Sequence, residues 1–345
     1  MASRPRIKDV ARLAGVSEKT VSNVINDYPY VTEKTRSAVR EAIAQLDYRV
    51  NLAGRHLRSG RTGIIALALP MLSVGYFGEI ANNIVREAEE RSRTVLVHQT
   101  EARRERELDA LGGFAADFVD GLIFSPLAMS HADLREYQAR LPMVLLGEQN
   151  VPGLHDHVAI DNAAAAREAT EHLLALGRRR IAVLGGRLDE KIGTAQLRAR
   201  GHLDALAAAG LPVDERLIMP AADFYWQDGA DLAAELLAGP RPLPDALLCL
   251  NDHIALGAIR TLHTAGVRVP DDVAVAGFDD IDASRYSVPT LTTVAPDKAR
   301  LAREAVELLE SRIHAARSGA ELPPREVVVP YELRVRESTA GGGAR

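Results

Sequence analysis

Apolar positions along the chain change their period twice. Over the first 48 residues they recur at helical spacing in three short stretches. The first covers residues 7–14, with Val10, Ala11 and Leu13 expected inward and Gly15 ending the helix. The second covers 18–25 and buries Val21, Val24 and Ile25 behind Ser17, whose hydroxyl suits a helix N-cap. The third covers 33–46, with Thr32 as cap and Val39, Ile43 and Leu46 on one stripe; Asp27, Tyr28 and Pro29 form the turn before it. Residues 49–62 break the pattern: they are too basic and too short to hold a core and read as a linker with at most two turns of helix. From Gly63 onward, short apolar runs alternate with longer amphipathic segments. Strands are predicted at 63–69, 94–98, 119–124, 143–146, 157–160, 180–185, 245–250, 272–276 and 326–330, and helices at 78–92, 161–176, 195–209, 228–238, 252–264 and 297–315. Runs that are apolar throughout fit parallel strands covered on both faces. The alternation gives doubly wound α/β units, and so many strands call for two subdomains rather than one sheet. The Gly-rich tail, 339–345, is expected to be disordered.

Composition narrows the class. A length of 345 residues allows two or three domains. The longest apolar run, 64–72, is nine residues and holds a proline, far short of the ~18–20 needed to cross a bilayer. No apolar segment follows Arg4, Arg6 and Lys8, so no secretory signal is read and a cytoplasmic location is expected. The single cysteine, Cys249, excludes a disulfide framework and a thiolate metal cluster. The net charge of −5 hides an asymmetry: residues 1–61 carry 12 Lys and Arg against 6 Asp and Glu, while the remainder carries 30 against 41. A basic head on an acidic body points to a polyanionic partner for the head alone.

The segment IKDVARLAGVSEKTVSNVIN explains that charge. Ala11 is small enough for two helices to cross closely, Gly15 permits the turn, and Val16 and Val21 fill the core between them. The second helix then presents Glu18, Lys19, Thr20, Ser22 and Asn23 near its N-terminal end, beside Ser17. In a helix-turn-helix, this end of the second helix reaches base edges in the major groove. Lys and Asn suit guanine and adenine edges and Glu a cytosine amino group, whereas Thr20, Ser22 and backbone amides suit phosphates. A plain helical hairpin accounts for the packing but not for the turn spacing, caps and charge together.

The run DVARLAGVSEKTVSNVIN, followed by VTEKTRSAVREAIAQLDYRVN, resembles the headpiece of the lac repressor/galactose repressor family of bacterial transcription regulators. Later matches in LLALGRRRIAVLGG, LNDHIALGAIRTL, GVRVPDDVAVAGFDD and PTLTTV extend the likeness over nearly the whole chain. Arg6 departs from the family's usual Thr cap, which leaves the start of the first helix open to fraying. Val50 and Gly54 replace the usual Pro and Ala of the hinge. The resemblance implies a helix-turn-helix headpiece at 1–49, a hinge at 50–62, and an effector-binding and dimerisation core at 63–338. That core is expected to resemble periplasmic sugar-binding proteins: two α/β lobes of doubly wound parallel sheets joined by three crossovers near Asn162, Thr290 and Leu322. One lobe would hold about 63–162 and 291–321, the other about 163–290 and 322–338.

Function follows from the same likeness. The hinge would fold on operator DNA and enter the minor groove, with Leu57 as the wedge and Asn51 and Arg55 as further contacts; Leu is a recognised wedge residue. In the helix interior Gly54 costs about 1 kcal/mol relative to Ala, which favours a hinge ordered only on DNA. Tyr76, Phe77, Thr194, Arg198, Phe224, Asn251 and Asp279 would line the effector cleft. Arg198 offers a fork of donors to vicinal hydroxyls, Asp279 accepts from them, and Asn251 lies just past a strand end. Asp252 reads as the N-cap of its helix and Asp161 as another cap. Pro296, and Glu148 after a Gly, depart from the polar contacts of some sugar-binding members. A carbohydrate is the expected effector, with a nucleobase second, and induction the expected sign. No P-loop, GxGxxG, GxSxG or HExxH is present, no cofactor is expected, and the His155/His157 pair reads as flanking a strand in a solvated loop rather than as a metal site. The chain is therefore expected to be no enzyme. A homodimer on a pseudo-palindromic operator is expected, since no C-terminal heptad follows Glu337. A ligand receptor without DNA function explains the body alone but not the head.

Overall fold

The computed structural model describes residues 5–25, 28–48, 62–113, 118–136, 141–147, 151, 153–188, 193–239 and 242–340. The chain divides into two compact units, Met1–Thr62 and Gly63–Arg345. The first holds α1 (Ile7–Ala14), α2 (Glu18–Ile25) and α3 (Glu33–Gln45) around Val10, Ala11, Val21, Val24, Val39 and Ala42. Leu13 is half exposed, not inward, because the buried stripe of α1 runs through Ile7, Val10, Ala11 and Ala14 and leaves it to one side. Asp9 corrects the expectation of fraying: its carboxylate accepts the Arg6 N–H at 2.9 Å, a cap contact that a guanidinium cannot make.

The second unit contains two six-stranded sheets. Its first half runs β1 (Ile64–Leu69), α4 (Gly75–Glu90), β2 (Thr94–Gln99), α5 (Arg104–Gly113), β3 (Gly121–Phe124), α6 (His131–Glu136), β4 (Met143–Leu146) and β5 (Asp156–Ala159). There follow α7 (Asn162–Ala175), β6 (Ile181–Leu184), α8 (Thr194–Ala208), β7 (Ile218–Met219), α9 (Trp226–Ala238), β8 (Ala246–Cys249), α10 (Asp252–Thr264), β9 (Ala274–Phe278) and α11 (Asp282–Tyr286). The chain ends in β10 (Thr292–Pro296), α12 (Lys298–Ser318), β11 (Glu326–Val328), β12 (Tyr331–Arg334) and α13 (Glu337–Ala340). One sheet has the order β11-β5-β4-β3-β1-β2, the other β12-β10-β9-β8-β6-β7. Pairing is parallel except for β12 against β10. Each sheet is covered by helices on both faces, as its apolar strands require.

The first crossover lies where expected, near Asn162, and the other two do not. The first lies between β5 and α7, at residues 160–161. The second is not near Thr290: residues 292–294 pair with β9 and 293–296 with β12, and the strand leaves its sheet only past Pro296, which has no N–H to continue a ladder. The third is not near Leu322, because β11 pairs with β5 in the first sheet and the chain changes lobe between Val328 and Tyr331. The last two crossovers run side by side, with the Asp297 N–H donating to the Pro330 carbonyl at 3.0 Å. Strands β7, β10 and β12 escaped the sequence reading because they are very short or mixed in polarity. Strand β2 was read, but its exposed Leu96 and Val97 mark a sheet edge rather than a doubly covered strand. The start of the tail is held in place: the last helix runs to Ala340, Ser338 Oγ donates to the Val275 carbonyl at 2.6 Å, and Thr339 is buried against Thr292. Residues 341–345 lie outside the described residues. No helix among the described residues is long and apolar enough to cross a membrane.

Two helix pairs approach so closely that only glycine fits between them. A Cβ on Gly229 of α9 would lie 2.0 Å from the Ile254 carbonyl oxygen, and one on Gly257 of α10 would lie 2.0 Å from that of Trp226. On α8, Gly201 meets the Ala163 carbonyl in the same way, also at 2.0 Å. Gly257→Ala should therefore destabilise the body by at least about 1–3 kcal/mol in urea denaturation. Gly112→Ala faces open space on α5 and should be neutral or stabilising by up to about 1 kcal/mol. A wild-type midpoint for Gly257→Ala contradicts the packing.

Candidate effector cleft and nucleic-acid interface

The carboxyl ends of both sheets face a cleft of about 1730 Å³. Open α/β sheets place ligands at this end, where loops leave the strands. Tyr76 and Phe77, at the start of α4, line it from the first lobe with their rings edge to face at 5.4 Å. Thr194 and Arg198 of α8, Phe224, Asn251 and Asp279 line it from the second. All seven cleft residues read from the sequence are thus brought to one cavity.

Arg198 is the centre of the second lobe's wall. It is buried, and its Nε donates to Asn162 Oδ1 at 2.6 Å while Nη1 donates to the Leu250 carbonyl. Its guanidinium carbon stands 3.4 Å over the Phe278 ring centroid, a cation–π contact. Its Nη2 lies 3.6 Å from Asp279 Oδ1, longer than a direct hydrogen bond of about 2.7–3.2 Å. A buried donor and a buried acceptor therefore stand side by side at the cleft. Burial pushes the Asp279 carboxyl up to about 6, against the opposing pull of Arg198 and Lys298.

Asn251 has a different task from the one expected. Its Oδ1 accepts the Ile254 N–H at 2.8 Å and caps α10, and its Nδ2 donates to the Phe224 carbonyl at 2.8 Å. Asn251, not Asp252, is the N-cap, because the fully buried Asp252 is turned inward. There it accepts from Ser284 Oγ (2.6 Å), Thr293 Oγ1 (2.6 Å) and the Ile281 N–H (3.0 Å). Phe224 sits at φ 57°, in the left-handed region. Its loop is fixed by Asp228, whose carboxylate accepts the N–H groups of Ala222 (3.0 Å), Asp223 (3.2 Å) and Tyr225 (2.9 Å). Pro296 ends β10 and is not among the cleft-lining residues; Glu148 lies outside the described residues.

Sequence reasoning missed the residues that hold this wall in place. Asn162 orients Arg198, and Asp228 orients the Phe224 loop; an acid at the third position of a helix is a legible cap signal. Glu107 of α5 is fully buried and accepts the N–H groups of Leu127, Ala128 and Met129 at 2.7–3.1 Å, fixing a cleft-lining loop of the first lobe. Nothing in the sequence around Glu107 marks that role. The His155/His157 pair lies in a drier setting than a solvated loop, and burial lowers both pKa values. Among the described residues no group of His, Cys, Asp and Glu could hold a metal ion.

In the head, Glu18 and Lys19 are exposed at the start of α2, with Thr20, Ser22 and Asn23 half-buried beside them. Ser17 caps the helix: its Oγ accepts the Thr20 N–H at 3.1 Å and pairs with Thr20 Oγ1 at 2.9 Å. Asn51, Arg55 and Leu57 lie outside the described residues.

Residues 6–51 match the bacterial regulatory proteins of the lacI family, and residues 170–339 match the periplasmic binding protein-like domain. A transcriptional repressor PurR of Haemophilus influenzae (strain PittEE) is 34% identical over 337 residues, 96% of this chain and 98% of that protein. The chain belongs to the lacI family of bacterial regulatory proteins. Among solved structures, a lac repressor dimer bound to operator and an anti-inducer superposes with a TM-score of 0.83 at 28% identity, over 98% of this chain and 99% of that one. A transcriptional regulator CelR in complex with cellobiose gives 0.71 at 32% identity, over 97% and 100%. This lacI-family member is accordingly a DNA-binding transcriptional regulator with a periplasmic-binding-protein-like body.

The buried polar cluster of Asp252 carries a pH dependence. Burial, and then the neighbouring Asp279, push the Asp252 carboxyl up to about 7. A carboxyl whose pKa is higher in the folded chain stabilises the fold fully only below its unfolded value, near 3.8. The contribution is lost as pH rises from about 4 through about 7. Urea midpoints from pH 5 to 8 should fall less steeply for Asp252→Asn than for wild type; parallel slopes would refute the assignment.

Proposed function

We propose that this regulator is a repressor that binds a pseudo-palindromic operator as a homodimer, and that its operator affinity is set by a carbohydrate held in the cleft. The observation that carries this reading is the Arg198–Asp279 pair standing between aromatic walls in one cavity. Adjacent sugar hydroxyls match a donor fork beside an acceptor, and the apolar face of a sugar ring packs on Phe224, Tyr76 or Phe77. Asp279 and Arg198 are the gripping residues, Thr194 a further polar contact, and Asn251 the residue that holds Phe224 in position. The relative in complex with cellobiose supports a carbohydrate, and the lac repressor dimer on its operator supports a two-fold assembly. On the DNA side, Glu18, Lys19 and Asn23 are proposed to reach bases, Thr20 and Ser22 phosphates, with Ser17 ordering the helix start. Asn51, Arg55 and Leu57 of the hinge are proposed to complete the contact through the minor groove. Ligand in the cleft changes the angle between the lobes and, through the hinge, weakens operator binding; it acts only by its differential affinity for the two states.

A thermal-shift panel of sugars, sugar phosphates and nucleobases tests the effector. A ligand at ~100 times its dissociation constant stabilises the fold by ~2.7 kcal/mol. A sugar should shift the melting temperature, and Arg198→Ala or Asp279→Ala should remove the shift. A shift from nucleobases alone would overturn the carbohydrate assignment. Affinity for a duplex selected from random DNA should fall steeply with rising salt, as phosphate contacts require. Lys19→Ala should weaken it, whereas salt-independent binding would refute the interface.

A further inference from the structure

A second polar cluster beside the cleft joins the two lobes. Lys298 opens α12, which packs on α4 and on β3, β4 and β5 of the first sheet. Its ammonium crosses to the second lobe and donates to the carbonyl oxygens of Asp279 (2.8 Å) and Asp280 (2.9 Å). It also donates to Glu79 of α4. These contacts use all three N–H donors of a lysine. The other oxygen of Glu79 accepts the Asp282 N–H at 3.0 Å. Between these contacts, Ile281 packs so tightly on the first lobe that a Cβ on Gly75 would lie 3.1 Å from its side chain.

The second lobe holds the same short segment from behind. The Asp279 N–H donates to the Val294 carbonyl at 2.8 Å. The Asp280 carboxylate accepts from Arg336 (2.5 Å), Arg334 (2.7 Å) and Arg285 (3.1 Å). The Ile281 N–H is held by Asp252. Asp279 and Asp280 have φ of 108° and 48°, values that side-chain-bearing residues adopt only where their surroundings over-determine them. The residue proposed to grip the effector thus points its carboxylate into the cleft and its carbonyl at a cation from the opposite lobe.

We propose that Lys298 and Glu79 are positioning residues that tie the backbone of Asp279 to the first lobe, so that occupancy of the cleft and the lobe–lobe angle are set together at this contact. The proposal rests on reading the cleft as the effector site. Two features give the contact leverage. It lies next to the second crossover, where the chain passes from β10 to α12, so a small displacement here becomes a larger one at the mouth of the cleft. Its donors are charged and its acceptors include backbone carbonyls, whose geometry a change at Asp279 alters directly. The Lys298 charge also favours the ionised form of Asp279, and Glu79 opposes it.

The test uses the full chain without effector, so its failure is separable from that of the effector reading. Asp109→Cys on α5 and Glu235→Cys on α9 place spin labels at exposed helix positions on opposite lobes; Arg104 and Asp231 of the same helices line the cleft. Cys249 is fully buried and does not compete for the label. With the labelled chain diluted in excess unlabelled chain, so that each homodimer carries one labelled pair, pulsed electron-resonance distances should show one narrow population with the native latch. Lys298→Met and Glu79→Gln should each raise the share of a second distance about tenfold, the loss expected for a charge-assisted hydrogen bond. The double variant should fall short of the sum of the single effects, because the two residues share one ion pair. Melting temperatures establish that each variant folds, and Glu79→Gln, at a partly exposed position, serves if Lys298→Met does not. An unchanged distribution in the folded variants overturns the proposal, as would additive effects. A latch response with no sugar or nucleobase shifting the melting temperature would instead overturn the effector reading alone.

Discussion

Three element ends at the cleft's second wall converge on the guanidinium of Arg198. It reaches the start of α7 through Asn162, the end of β8 through the Leu250 carbonyl, and the end of β9 through Phe278 and Asp279. A buried cation is costly unless it is paired and hydrogen-bonded, and here each contact comes from a different strand or helix end. The charge can therefore stay buried only while those ends keep their register. Glycines on α8, α9 and α10 permit the close helix packing that sets this register. Acids hold the loops that line the cleft: buried Asp252 fixes the segment around Ile281, half-buried Asp228 the loop of Phe224, and buried Glu107 a loop of the first lobe.

The paths of the chain between the lobes turn this rigid wall into one half of a hinge. Neither sheet is made from one continuous stretch of sequence, and two of the connections run side by side and hydrogen-bond to each other. Such a connection leaves the lobes able to change their angle but resists sliding of one past the other. A ligand bridging Asp279 and the Tyr76–Phe77 wall would be sensed as an angle between the lobes.

Much of this was legible in the residues. The helical period of the head, the Gly15 turn and the Ser17 and Thr32 caps follow from local chemistry, and the fully apolar runs gave most of the parallel strands. The seven cleft residues came from motif position and share one cavity. What escaped has physical causes. Leu13 lies one step off the buried stripe. Strand β10 is short and starts with two threonines, and β12 is short and polar on one side, so the last two crossovers were placed several residues early. Asn251 and Asp252 are adjacent and both suited to capping; only the direction in which each side chain turns separates them. Glu107 and Lys298 act on backbone groups far away in sequence, and no local pattern announces such a partner.

The central claim is that the cleft and the operator site are coupled through one protein. Coupling of two binding equilibria is reciprocal, so a ligand that changes operator affinity must itself be bound differently on the operator. The most direct measurement is calorimetric titration of the first carbohydrate to shift the melting temperature, into the free regulator and into its complex with a selected operator. The account predicts weaker binding to the complex, by the same factor by which that sugar weakens operator binding. A factor of about 5–150 is typical of such coupling. Equal dissociation constants for the two species would contradict it, and would leave the cleft a binding site with no bearing on DNA.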